Sequence, residues 1–408
     1  MRLRQIGMIL VLAGFTFETA LAPADDWPQW LGPNRDGISR EKGLLKSWPP
    51  GGPKVLWEKR LGEGLSSFVE ADGRAITLFQ AGGSQWAIAF EAATGNELWR
   101  VRTGKELPDQ KPGNPGPRAT PTVEGDRVYA LDGHGNLLCL SVADGTEVWK
   151  RNICEQCGAK RLTWGVAASP LIDGSNLILV VGESEDAAIA ALDKMTGELV
   201  WKALGHKPGY ASPILADLGG EKQFVFFLGT DVLGITRDGK SVLWQYPWKT
   251  SYDVNAATPL VKGNQVFIGS GYNKGCALLE IDPKADPPVK AIWENKELRC
   301  QLDTAVLHEG YLYGFDDIRL CCIEFATGKR MWEEKRFGQG ALTMADGILY
   351  VLGDGNLGLV RPNPAKFDMI SNVDGIMAKR CWTKPTVANG RLYLRDEEQF
   401  KCLNVKAQ

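Results

Sequence analysis

The side chains best suited to chemistry in this chain are a mixed polar set: Arg118, Trp164, Tyr210, Asp253, Asn255, Gln301 and Asp303. A cation, carboxylates, amides and flat rings gathered at one place suit recognition of a polar ligand. Patterns for covalent or proton-transfer catalysis are missing. His134, His206 and His308 are the only histidines, and no known motif ties a Ser or Cys to them. No Gly-x4-Gly-Lys-Ser/Thr loop offers a phosphate cradle. Nine cysteines are present. Cys154-x-x-Cys157 falls on an expected loop after Trp149 and is a candidate local disulfide; a zinc site would need two further ligands, and none has suitable spacing. Cys139 and Cys322 each stand six residues before a turn glycine, Gly145 and Gly328. Ala89 and Ala191 hold the same offset before Gly95 and Gly197. A position shared by Cys and Ala is a small packing position.

What positions the polar set is a repeat. Ala93-Thr94-Gly95-Asn96-Glu97-Leu98-Trp99 returns as Ala143 to Trp149, Met195 to Trp201 and Ala326 to Trp332, and more loosely as Arg237 to Trp244. Thr-Gly or Asp-Gly makes a tight reversal with glycine at positive φ, and a strand leaves carrying a tryptophan that can cover a neighbouring sheet. A second marker, Ala-Thr/Ser-Pro, ends at Pro121, Pro170, Pro213 and Pro259, in steps of 49, 43 and 46 residues. Each opens an apolar strand, where proline costs no ladder hydrogen bond. Degenerate copies begin near Ser67, Thr304, Gly340 and Lys384.

The expected fold is therefore all-β, an eight-bladed β-propeller of four-stranded antiparallel blades. Trp57, Trp99, Trp149, Trp201, Trp244, Trp293 and Trp332 are the expected blade-docking residues, and an eighth outgoing strand near 367–373 lacks the tryptophan. The last blade is one strand short at the C-terminal end, and the strand around Trp57 is expected to complete it, which removes open edges. The polar set then falls on loops at the mouth of the propeller.

Composition narrows the function. The 47 basic and 49 acidic residues nearly cancel, without a long run of one sign, which disfavours nucleic acid as a partner. Arg2 and Arg4, an apolar run from Ile6 to Phe17, and small residues at Ala20, Ala22 and Ala24 form a signal-peptide pattern. The expected organisation is a signal peptide over 1–24, an arm over 25–50 anchored by Trp27, Trp30 and Trp48, and a propeller over 51–408. A periplasmic or secreted location follows, with no lipid attachment and no membrane-spanning segment in the mature chain.

Leu192-Asp193-Lys194-Met195-Thr196-Gly197 followed by Trp201 resembles the blade signature of the quinoprotein (PQQ-like) propeller family. The resemblance covers roughly 51–408 and implies two settings. One is a cofactor-free propeller similar to BamB-like outer-membrane-assembly factors, which chain length favours: a monomer that binds a protein partner or a small polar ligand and needs no cofactor. The other is a quinone-dependent alcohol dehydrogenase, with PQQ and calcium. There Arg118, Trp164, Asn255 and Asp303 are the candidate cofactor-contacting residues, with Asn255 and Asp303 toward the metal and Trp164 toward the ring. Adjacent Cys321-Cys322, which such enzymes can place against the quinone, sits inside a strand here, where neighbouring side chains face opposite ways. The expectation carried forward is a non-catalytic binding propeller.

Overall fold

The middle strands of each repeat are continuous apolar runs and the outer strands are not. Asn136–Ser141 buries its whole centre, whereas in Glu147–Asn152 only Trp149 is buried. Strands covered on both faces read as unbroken hydrophobic stretches, and strands on a rim do not. In a computed structural model describing residues 26–108, 116–378 and 380–407, this pattern resolves into eight antiparallel sheets. Blade 1 runs from Val69–Ala71 to Glu97–Lys105, and blade 2 from Thr122–Glu124 to Glu147–Asn152. Blades 3 to 6 begin at Leu171–Asp173, Ile214–Leu218, Leu260–Lys262 and Val306–His308. Blade 7 spans Gly340–Ala345 to Met369–Val373 and gains a parallel fifth strand, Ile38–Ser39. Blade 8 joins Thr386–Ala388, Arg391–Arg395 and Gln399–Asn404 to Val55–Arg60, with Trp57 opposite Cys402. The chain's first long strand thus closes its last sheet.

Eight apolar cores fill the eight seams, each drawn from two adjacent blades. The turn glycines lie at positive φ, 71° at Gly95 and 74° at Gly145. They also leave room for an indole from the blade before: a methyl on Gly95 would sit 2.5 Å from Trp57 Cγ. At four of the seams the indole N–H also donates to the carbonyl three residues ahead of that glycine. Trp57 reaches Ala92 at 2.9 Å, Trp99 reaches Val142 at 3.0 Å, Trp149 reaches Lys194 at 3.1 Å and Trp293 reaches Phe325 at 3.0 Å. Trp244 departs from this pattern, because blade 5 has no Thr-Gly turn to receive it. Its N–H bonds Gln223 Oε1 of its own blade at 2.6 Å, while the ring still packs on the blade 5 core.

The Ala-Ser/Thr-Pro marker does more than start a strand. Its hydroxyl accepts a backbone N–H from the preceding blade: Ser67 N to Thr120, Thr120 N to Ser169, Ser169 N to Ser212 and Thr258 N to Thr304, at 2.9 to 3.1 Å. Innermost strands crowd near the axis, where only a short side chain can bridge them.

The segment from residue 26 to about 41 fills the channel and touches every blade. Trp27 bridges Glu70, and the Pro28 carbonyl accepts Val123 N–H. Trp30 donates to Thr258 Oγ1 at 2.9 Å. Arg35 donates to Gln29 Oε1 and to the carbonyls of Pro170 and Pro213. Gly37 packs against Val306 and Lys384, and Glu41 accepts Gly390 N–H. Arg35 is 5% exposed, and burial pulls its guanidinium well below the ordinary pKa. Residues 1–24, read as a signal peptide, lie outside the described residues. Among the described residues no helix is long and apolar enough to cross a membrane.

All nine cysteines are buried, and no disulfide joins any of them among the described residues. The expected 154–157 bridge is corrected by the local structure, which is not a loop but the helical turn Ile153–Cys157, capped by Asn152 and by Gly158 at φ 68°. Both thiols pack into the core between blades 2 and 3, and burial pushes each up to about 11. Cys321 and Cys322 point into different seams, one between blades 5 and 6 and the other between blades 6 and 7.

Candidate binding site

One position of the repeat builds a cup at the mouth of the channel. Two residues before each marker hydroxyl stand Leu65, Arg118, Ala167, Tyr210, Ala256 and Leu302, and Trp382 holds the corresponding place before Lys384. All seven line a cavity of 180 Å³. Trp30 of the arm contributes from below, fixed by its bond to Thr258, so the cup is floored by the chain's own N-terminal segment. Trp164 meets Tyr210 edge to face, with ring centroids 6.4 Å apart at 87°. Tyr272 forms another wall, and Arg380 lies 4.6 Å over the Trp382 ring. The polar contributions are Arg118, Gln301, Lys384 and the marker hydroxyls of Ser169 and Ser212. At the rim Tyr252, 65% exposed, stands edge-on to Tyr272 at 5.7 Å. Tyr252, Asp253 and Tyr272 all adopt left-handed backbone, at φ 64°, 56° and 54°. Non-glycine residues held there cost roughly 1–3 kcal/mol each and concentrate at ligand-contacting loops.

The cup therefore presents aromatic faces with a few polar groups, the composition of a site that orients a ligand. Of the expected mouth residues, Arg118, Trp164, Tyr210 and Gln301 line it. Asp253 pairs with Lys207 at 2.7 Å instead. Asn255 and Asp303 are the two clear corrections. They flank the lining residues Ala256 and Leu302, and in extended chain adjacent side chains face opposite ways. Asn255 is fully buried: its amide donates to Leu228 and Trp248 carbonyls at 2.7 and 3.2 Å, and its oxygen accepts Ser270 Oγ at 2.6 Å. Asp303 accepts Lys384 Nζ at 2.8 Å and Leu342 N–H at 3.2 Å. Burial raises the Asp303 carboxyl, against the opposing pull of the Lys384 charge.

These residues do not fit calcium with a quinone. Calcium takes several oxygen ligands, yet the Asn255 oxygen already accepts the Ser270 hydroxyl and the Asp303 carboxylate already holds an ammonium. Among the described residues no three His, Cys, Asp or Glu side chains converge as metal ligands. The polar and aromatic cup residues not anticipated at the mouth from sequence include Tyr272, Trp382, Lys384, Ser169 and Ser212, while Trp30 is expected only as an anchor of the arm. Trp382 stood in plain register with Arg118 and Tyr210, so repeat alignment, rather than proximity to a strand, was the signal that finds it.

Comparison with known proteins agrees with this architecture. The structure of BamB from Moraxella catarrhalis superposes with a TM-score of 0.61 at 15% identity, covering 87% of this chain and 98% of that one. The computationally designed Ika8 protein gives 0.56 at 11% identity, covering 87% and 100%. Quinohemoprotein alcohol dehydrogenase from Comamonas testosteroni gives only 0.42 at 15% identity, over 94% and 81%. No curated protein sequence matches the chain. The family model described as outer membrane protein assembly factor BamB matches residues 41–152 and 83–334, together well over half of the sequence. On that match, joined to the eight closed blades, the chain belongs to the BamB family of PQQ-like β-propellers.

Proposed function

We propose that this protein is an exported, monomeric binding propeller that engages a protein partner through its mouth, in the kind of outer-membrane-protein assembly for which the BamB family is named. The cup carries the reading. Its floor is a tryptophan of the protein's own arm, its walls are aromatic, and the oxygens a calcium–quinone site would need are committed to Lys384 and to Ser270. An aromatic or long apolar side chain on an extended segment of the partner would fill it, with Arg118 and Gln301 meeting the adjacent backbone.

Isothermal titration with extended peptides bearing a single aromatic side chain tests this. Saturable binding is expected, weakening roughly tenfold or more in Trp164→Ala, a loss of about 1.4 kcal/mol. Stoichiometric uptake of pyrroloquinoline quinone with calcium, accompanied by dye-linked alcohol oxidation, would overturn it. Export has its own check: the N-terminus of the mature protein from the cell envelope is expected at Asp25.

A further inference from the structure

The repeat places a basic residue directly after the tryptophan in blades 1, 2 and 3, at Arg100, Lys150 and Lys202. Arg100 pairs with Glu97 at 2.7 Å and Lys202 with Asp186 at 3.0 Å. Lys150 has no acidic partner among the described residues. Its Nζ donates to the Thr103 carbonyl at 2.9 Å, which carries no formal charge. Three more cations share its cleft on the outer face between blades 1 and 2: Arg102, Lys105 and Arg161. None of them forms an ion pair among the described residues. Arg102 Nε is held by Ser84 Oγ at 2.9 Å and Arg161 by the Leu162 carbonyl at 3.1 Å. Three of the four positive charges are thus oriented by neutral acceptors, Lys105 is exposed, and Glu155 is the one exposed acid lining the cleft among the described residues. In a chain whose formal charges nearly cancel, that is a local excess, and uncancelled fixed charge draws an anionic partner.

We propose that this cleft is a second docking surface, for an acidic extended segment of a partner protein. The charges are spread along the ends of two outer strands and beyond the helical turn, instead of converging on one point as a phosphate cradle does. A ladder of carboxylates matches that spread. The strand Glu97–Lys105 is an outermost strand with one side unpaired, and its register breaks between Arg102 and Gly104, so Thr103 bulges beneath the cations. The cleft and the cup have no lining residue in common, so the two readings stand or fall separately.

Fluorescence anisotropy with a labelled peptide alternating glutamate and serine is the test, beside the same peptide with glutamine for glutamate. The expected result is binding of the acidic peptide alone, weakened by salt as screening requires. Arg102→Glu combined with Lys150→Glu should weaken it roughly tenfold or more. The charge-matched control Lys335→Glu with Arg336→Glu, remote from the cleft, should leave it unchanged. Should the double cleft variant fail to fold by near-ultraviolet circular dichroism, exposed Lys105→Glu gives the same reading alone. Equal binding of the glutamine peptide, or equal loss in the control, would overturn the proposal. So would capture of inorganic phosphate or phosphatidylglycerol vesicles through these cations without affinity for the acidic peptide.

Discussion

At the seam between blades 8 and 1, Trp57 lies on Gly95 and its N–H meets the Ala92 carbonyl. In the channel, Arg35 reaches the carbonyls of two blades other than its own segment, an arrangement that no other arginine repeats among the described residues. The first contact recurs at Trp99, Trp149 and Trp293, so evolution has several copies of one solution. The second exists once. A repeated contact spreads closure over many seams, whereas a singular one concentrates several blades' alignment on a single side chain. Glu70 is where the two meet: its carboxylate, fully buried, holds Arg391, Tyr393 and Asn389 of blade 8, while its backbone bridges Trp27 of the arm.

The sharpest way to break this contrast is Trp57→Ala. It empties the closing seam and should cost about 3–5 kcal/mol in denaturant unfolding, as large aromatic truncations do. A loss under about 1 kcal/mol would mean that the arm, not the seam, closes the ring. Next is Glu70→Gln, which keeps an acceptor but loses the charge facing Arg391. About 2 kcal/mol is expected, in the range for hydrogen bonds to charged groups. Trp30→Phe keeps the floor of the cup but removes the bond to Thr258, for about 1 kcal/mol in thermal melts. If it also abolishes peptide binding at the mouth, the arm is part of the site and not merely its support.

The smallest effect sharpens the comparison through pH. Asp316 is buried, which pushes its carboxyl up, but hydrogen bonds from Arg299 and the charges of Arg299 and Arg330 outweigh burial and hold it below the usual carboxylate range. A depressed folded-state value means stability that is full above the unfolded pKa of about 3.9 and lost as pH falls through the folded one. Acid titration of stability below about pH 4 should therefore be shallower in Asp316→Asn than in the parent.

These particulars also explain what was legible in the sequence. Gly95, Gly145, Gly197 and their tryptophans announced the blades because each obeys the same local rule, turn then docking strand. Trp57 could be placed opposite Cys402 because the last repeat visibly lacked a strand. The cup was half legible. Arg118 and Tyr210 stand at the lining position, but Asn255 and Asp303, whose chemistry alone draws attention, stand one residue out of register, and a one-residue step in extended chain turns a side chain away from the channel. The arm was illegible in detail. Trp30 and Arg35 have no period to reveal them, and their partners lie in blades far along the chain. Cys154 and Cys157 are obscured for a related reason: the stretch after Trp149 carries no helical period, yet Asn152 caps a helical turn there.

The pairing of Val55–Arg60 with Gln399–Asn404 has a further consequence, in time rather than space. During synthesis the earlier strand emerges long before its partner exists, so the ring stays unfastened until nearly every blade has been made. Contacts between such distant parts of a chain form slowly and leave sticky edges waiting. A substitution near Cys402 would therefore act as though it had been made near Trp57, although nearly every blade is translated between the two.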